Sequence, residues 1–263
     1  MEIFDFHQGS TPLLVSVPHC GTHVPPDIAE RLTPEARLLA DTDWHVERLY
    51  DFAAGLGAGV LAATHSRYVI DLNRPPDGAA LYPGADNTEL CPTTTFARQA
   101  IYLDDGPPDA AEIERRVETW WRPYHETLAA ELGRLRAEHG IALLFDAHSI
   151  RSRVPRFFDG RLPDLNLGTG GGGSADAGLA ARLLGICEGA AGFSAVLNGR
   201  FTGGYITRTY GRPAEDIHAV QLEQSQITYM DEDPPFGYRA DLAGKVRPVL
   251  EALLAEMLAW AGA

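Results

Sequence analysis

Apolar residues along this chain fall into short runs cut off by proline and glycine, and into longer stretches where they recur every three or four positions. Leu13-Leu14-Val15-Ser16-Val17 is a β run stopped by Pro18, which has no backbone donor, so His19 is expected at the strand's C-terminal edge. Pro34 to Gly55 reads as helical, with Leu38, Leu39, Val46, Leu49, Tyr50 and Ala53 on one face; glycines 55, 57 and 59 then break it before the strand Val60-Leu61-Ala62-Ala63. This is one β-α-β unit. Ser66 to Arg74 reads as a further strand closed by Pro75-Pro76, and residues 75–108, rich in Pro, Gly, Asp and Thr, read as loop bordering a site.

From Asp109 to His139, Ile113, Val117, Trp121, Tyr124, Leu128, Leu132 and Leu135 mark a long amphipathic helix. Pro123 predicts a kink in it, and Gly140 a cap. Ile141 to Phe145 is a wholly apolar strand that leads into Asp146-Ala147-His148-Ser149, repeating the strand-then-histidine arrangement of His19. A helix over Ser174 to Gly189, strands at Ala195 to Leu197 and His218 to Glu223, and a closing helix over Asp241 to Trp260 follow. The alternation of strands and helices predicts one α/β domain over residues 1–263, a mixed, mostly parallel sheet flanked by helices. Ligands in such sheets sit at the C-terminal strand edge, where both histidines are expected.

Composition narrows the chemistry. A net charge of −14 with no Lys/Arg-rich run argues against nucleic acid and anionic membranes as partners, and an anionic substrate would need locally placed arginines. Three widely spaced cysteines, Cys20, Cys91 and Cys187, fit neither a disulfide framework nor a Cys-based zinc site, and with no leader or membrane span in view the expected location is cytoplasmic. Adjacent residues on an extended segment point to opposite sides, so Cys20 is not paired with His19 as nucleophile and base. The glycine run at 168–173 lacks the Gly-Lys-Ser/Thr ending of a phosphate loop and reads as a lid or a plain surface loop.

His19 and His148 flank Asp41-Thr42-Asp43-Trp44-His45, and two imidazoles with one carboxylate make a divalent-metal site with a position left for water, whose pKa zinc would lower toward about 7. Taken singly, each histidine is more often a hydrogen-bonded structural residue than a ligand. The acidic cluster also fits a solvated helix face, and Asp41, Asp43, His45 and Glu47 each remain open as the third ligand, Asp43 and Glu47 sharing a face at i, i+4. Alternation turns Gln221 and Glu223 away from the side that Val220 and Leu222 occupy, so Glu223 is either a general base or one half of an ion pair.

In order and spacing, Ser16 to Pro25, Asp41 to His45, Ser66 to Pro75, Phe145 to Ser149, Asn198 to Thr207 and Gln221-Leu222-Glu223 together resemble the N-formylglutamate amidohydrolase family. The resemblance implies metal-dependent hydrolysis of N-formyl-L-glutamate to formate and L-glutamate in histidine degradation, and a fold related to zinc carboxypeptidases. Their His-x-x-Glu motif is His19-x-x-Thr22 here, so Asp43 takes the place of the missing carboxylate beside His19 and His148, with zinc as the first choice of metal. By the same analogy Asn73 and Arg74 would grip a substrate carboxylate and Glu223 would be the catalytic base. The substrate carries two carboxylates; Arg74 is the first candidate to hold one, with Arg67, Arg151 and Arg208 behind it.

Overall fold

The computed structural model describes residues 2–81, 84, 86–104 and 106–262. Seven strands, β1 (Phe4–His7), β2 (Leu13–Val17), β3 (Gly59–Ala63), β4 (Ala142–Ile150), β5 (Leu165–Gly168), β6 (Ala195–Leu197) and β7 (Ile217–Ser225), form one sheet in the order β1-β3-β2-β4-β7-β5-β6. The central pairs β3/β2, β2/β4 and β4/β7 are parallel, as is β5/β6, while β1/β3 and β5/β7 are antiparallel. The mostly parallel sheet is therefore as expected. Its helices are α1 (Pro26–Ala29), α2 (Val46–Leu49), α3 (Ala110–Arg116), α4 (Arg122–His139), α5 (Ala177–Gly189), α6 (Tyr205–Tyr210) and α7 (Ala240–Ala261).

Strand alternation divides the core in two. Leu13, Val15 and Val17 of β2, Leu143, Phe145 and Ala147 of β4, and Val220 and Leu222 of β7 pack with α5 and α7 on one face. Leu14, Leu144 and Ala219 face the other way, against α4. Both faces are covered, which is why the central strands read as nearly unbroken apolar runs.

Three expectations fail for physical reasons. Residues 34–55 are not one helix: short turns surround α2, and Leu39 and His45 take left-handed φ values of 51° and 64°. Asp41, Thr42 and Asp43 are buried at this break, and the Asp43 amide donates to the His19 carbonyl at 3.1 Å, so the chain folds inward where a helix would have carried these groups past the site. Ser66 to Arg74 is a series of turns rather than a strand. Its carbonyls are taken by side chains of the helical segment: Arg116 Nη1 donates to Val69 O at 2.8 Å, His125 Nε2 to Leu72 O at 2.8 Å and Trp121 Nε1 to Arg74 O at 3.0 Å.

The kink expected at Pro123 is realised as a wide π-helical turn over Val117–Trp121, which joins α3 to α4 and leaves Pro123 in the first turn of α4, where no backbone donor is needed. Asp146 to Ser149 does not follow β4 but lies inside it, since nine residues of β4 pair in register with β7. The glycine run follows β5 directly, as a turn with Gly171, Gly172 and Gly173 exposed. Gly170 N donates to Thr202 O, and Ser174 at its end is buried with its hydroxyl donated to Ala219 O at 2.8 Å, so both ends of this surface turn are tied to neighbours. β1, β5 and α6 carry too few residues to register as a periodic pattern. No helix among the described residues is long and apolar enough to cross a membrane.

Candidate metal centre and active site

Parity and register bring the site together. His148 and Asp146 lie on the same face of β4 as Leu144, Glu223 and Gln221 on the same face of β7 as Ala219, and His148 is directly opposite Glu223 in the parallel register. His19 follows β2 at the adjacent strand end, and Asp43 arrives from the break in the 34–55 segment. His19, Asp43 and His148 are all buried, and their ligand atoms lie within 4.8 Å of one another. Asp43 Oδ2 is 3.7 Å from His19 Nδ1 and 3.1 Å from His148 Nδ1.

The far nitrogen of each ring is tied to a further carboxylate, His19 Nε2 to Asp71 Oδ1 at 2.7 Å and His148 Nε2 to Asp146 Oδ2 at 3.0 Å. Those contacts favour a proton on Nε2, which would leave Nδ1 of each ring, beside Asp43, to ligate a divalent cation. Two imidazole nitrogens and one carboxylate oxygen suit zinc and its neighbours in the first transition row. The electrostatics agree. Burial alone would lower His148, but the charges of Asp146 and Asp43 outweigh it and raise the imidazole well above its ordinary range, so the cluster favours positive charge. Burial alone would likewise raise Asp43, yet hydrogen bonds from His148 and His19 hold it below the usual carboxylate range.

Of the four groups open as third ligand, only Asp43 joins this cluster. Asp41 accepts from the Phe96 amide at 2.9 Å, His45 Nε2 donates to Phe236 O at 2.7 Å, and Glu47 lies on α2, after the break. A shared helix face for Asp43 and Glu47 is ruled out, because Asp43 precedes the left-handed His45.

Glu223 is 8% exposed and lines the same cavity as the three candidate ligands. Burial pushes its carboxyl up to about 8, with the His148 charge opposing and the Asp43 charge adding. Its carboxylate meets the Gln221 amide, which donates to Oε2 at 3.3 Å.

The candidate substrate residues separate. Arg67, Asn73 and Arg74 line the cavity, whereas Arg151 and Arg208 do not. Arg151 donates to the Glu232 carbonyl and to Asp233 Oδ1, and Arg208 donates to Gly203 O at 2.8 Å and Thr202 Oγ1 at 2.9 Å. Arg67 is bound to the carboxylates beside the histidines: its Nη2 is 2.6 Å from Asp71 Oδ2, its Nη1 is 3.9 Å from Asp43 Oδ1, and the guanidinium covers the Phe96 ring. Burial alone would raise Asp71, yet the Arg67 charge holds that carboxyl well below its usual range. Arg74 is oriented by Thr88, whose carbonyl and hydroxyl accept at 3.1 Å and 2.8 Å.

Asn73 accepts from the Ile206 amide at 2.8 Å and places its Nδ2 3.0 Å from His148 Nε2, so it joins the start of α6 to His148. Gly204, just ahead of α6, sits so close that a Cβ there would be 2.2 Å from Asn73 Nδ2. Sequence reasoning overlooked the parts of Asp71 and Asp146. The second was within reach of strand alternation, since Asp146 precedes His148 by one period of two.

Known proteins place this geometry in a family. A family model for N-formylglutamate amidohydrolase matches residues 11–230. The N-formylglutamate deformylase of Pseudomonas aeruginosa is 56% identical over 259 residues, covering 98% of this chain and 97% of that protein. The enzyme of the same name from Pseudomonas putida is 55% identical over the same shares of the two chains. Among solved structures, the crystal structure of N-formylglutamate amidohydrolase from Ralstonia eutropha JMP134 superposes with a TM-score of 0.83 at 25% identity, covering 99% of this chain and 98% of that one. A gene product of Agrobacterium tumefaciens shares the fold with a TM-score of 0.70 at 19% identity. The chain belongs to the N-formylglutamate amidohydrolase family.

Proposed function

We propose that this protein hydrolyses N-formyl-L-glutamate to formate and L-glutamate, the step its family resemblance assigns to histidine degradation, as a metal-dependent cytoplasmic enzyme. The observation that carries this reading is the buried His19, Asp43 and His148 group beside Glu223 in an arginine-lined cavity. A divalent cation held by those three residues, zinc in the first instance, would supply Lewis acidity to polarise the formyl carbonyl, and its charge would offset the repulsion that Asp43 adds at Glu223.

The rest of the work falls to side chains of the protein. Asp71 and Asp146 fix the ring orientation of His19 and His148. Glu223 takes a proton from the attacking water as oxygen bonds to the formyl carbon, and returns it to the nitrogen as the carbon–nitrogen bond breaks. Its raised affinity for protons suits the second half of that exchange, in which a carboxylic acid must donate to an amine. Arg74, held by Thr88, pairs with a substrate carboxylate. Asn73 lies beside His148 through its Nδ2 group, which can donate to a substrate oxygen.

The test is formate release from N-formyl-L-glutamate by purified protein, after chelation and again after zinc is restored. Release that disappears with the chelator and returns with zinc is the expected result. Absence of release in the zinc-restored protein overturns the assignment and directs attention to larger N-acyl groups, which a panel of N-acetyl and longer N-acyl glutamates would reveal.

A further inference from the structure

Resting on that reading, a second carboxylate has to be accounted for. The substrate carries an α-carboxylate and a side-chain carboxylate, and the described residues lining the cavity include three arginines, Arg67, Arg74 and Arg200. Arg67 is held by Asp71 and stands beside Asp43, which places its charge with the catalytic carboxylates. Arg74 meets one substrate carboxylate. We infer that Arg200 binds the other and is the residue through which this enzyme selects N-acyl amino acids with an acidic side chain.

The surroundings of Arg200 support this. It follows β6 in the turn Asn198-Gly199-Arg200-Phe201, a segment to which sequence reading gave no chemical part. Its Nε donates to Phe157 O at 2.6 Å, and its guanidinium carbon lies 5.9 Å from the Phe157 ring and 5.3 Å from the Phe201 ring. Both rings pack against the small apolar cluster of Ile150, Val154 and Leu162 at this end of the cavity. A guanidinium seated by one carbonyl and two aromatic faces is oriented before substrate arrives, and low-polarity walls strengthen its attraction for a carboxylate. The opposite ends of a substrate chain would then be read by guanidinium groups from two separate segments, the 66–74 turns and the turn after β6.

The experiment compares N-formyl-L-glutamate with N-formyl-L-glutamine, its neutral isostere, for the zinc-loaded wild type and for Arg200→Ala and Arg200→Lys. Wild type is expected to favour the acid by on the order of 100-fold in kcat/KM. In Arg200→Ala the acid should lose most of that advantage, falling by about 30- to 100-fold while the amide changes by less than about 3-fold. Arg200→Lys should lie between, since it keeps the charge without the paired donors. If Arg200→Ala proves unstable, the Lys variant and calorimetric binding of L-glutamate against L-glutamine provide the same comparison. A preference for the acid retained in both variants overturns the role of Arg200 and leaves the deformylase reading intact. Failure of wild type to hydrolyse the acid overturns both.

Discussion

Asp43 shows how a single residue acquires its part from its surroundings. In sequence it is one of several acidic groups in a stretch of helical periodicity. In the fold it is buried against two imidazoles, with the Ser149 amide donating to its Oδ2 at 3.1 Å. An unpaired carboxylate buried so deeply would be costly, and the histidines that lower its pKa are the groups it would join in binding a cation. Glu223 is the contrasting case, a carboxyl kept proton-seeking by burial. Replacing it with Gln should lower kcat by at least about 1000-fold while metal content stays stoichiometric, because Glu223 is not in the ligand group. Turnover near that of wild type, with metal measured in the same sample, would remove it from the mechanism. Arg74→Ala should lower kcat/KM for N-formyl-L-glutamate by about 10- to 100-fold without loss of metal; unchanged kinetics would show that Arg74 does not touch substrate.

At the level of elements, the Ser66 to Arg74 segment and the helices that hold it are the most instructive. Its composition is that of a strand, but strand pairing needs a neighbour, and Arg116, Trp121 and His125 supply acceptor satisfaction in place of one. The π turn between α3 and α4 accommodates Pro123 and leaves Trp121 facing Arg74 O, so an irregularity in the helix is coupled to placement of the loop that carries Asn73 and Arg74. The approach of Gly204 to Asn73 is a second coupling between elements. Gly204 has an ordinary φ of −84°, so the difficulty with a side chain there is one of space alone. Gly204→Ala should destabilise the protein by about 1–3 kcal/mol and disturb His148 through Asn73, which urea unfolding and kcat measured on one preparation would reveal. An unchanged urea midpoint together with unchanged kcat would mean that the loop and Asn73 relax independently.

Across the whole molecule, acid stability is tied to the same helix-to-loop fastening. His125 donates through Nε2 to Leu72 O and accepts at Nδ1 from the Tyr210 hydroxyl at 3.0 Å, which requires the neutral ring. Burial lowers its pKa from 6.5 to about 4. Below pH 6.5 the unfolded chain takes up a proton that the folded protein refuses, so this stabilisation is complete above 6.5 and declines as pH falls toward 4. By pH 5 the loss is about 2 kcal/mol. His125→Gln should therefore show a smaller drop in urea stability between pH 7 and pH 5 than wild type, by about that amount; identical drops would mean the ring is protonated in the fold.

Chain order and periodicity alone determined the sheet-and-helix class, β2, β3, β6 and β7, the long helices, and the placement of both histidines toward one edge, because apolar repeats and proline or glycine stops act locally. The motif segments, read as a set, determined the family. Which acidic residue faces the histidines, which arginines reach the cavity, and that the 66–74 segment is not a strand were decided only by tertiary structure. Each depends on a partner far away in sequence: Asp43 on His148, Arg67 on its neighbours at the metal cluster, Leu72 O on His125, and Arg151 on the Glu232-Asp233 turn that draws it from the cavity. Local propensity has no access to such partners, since the free energy of burying a polar group is set by what the completed fold places beside it.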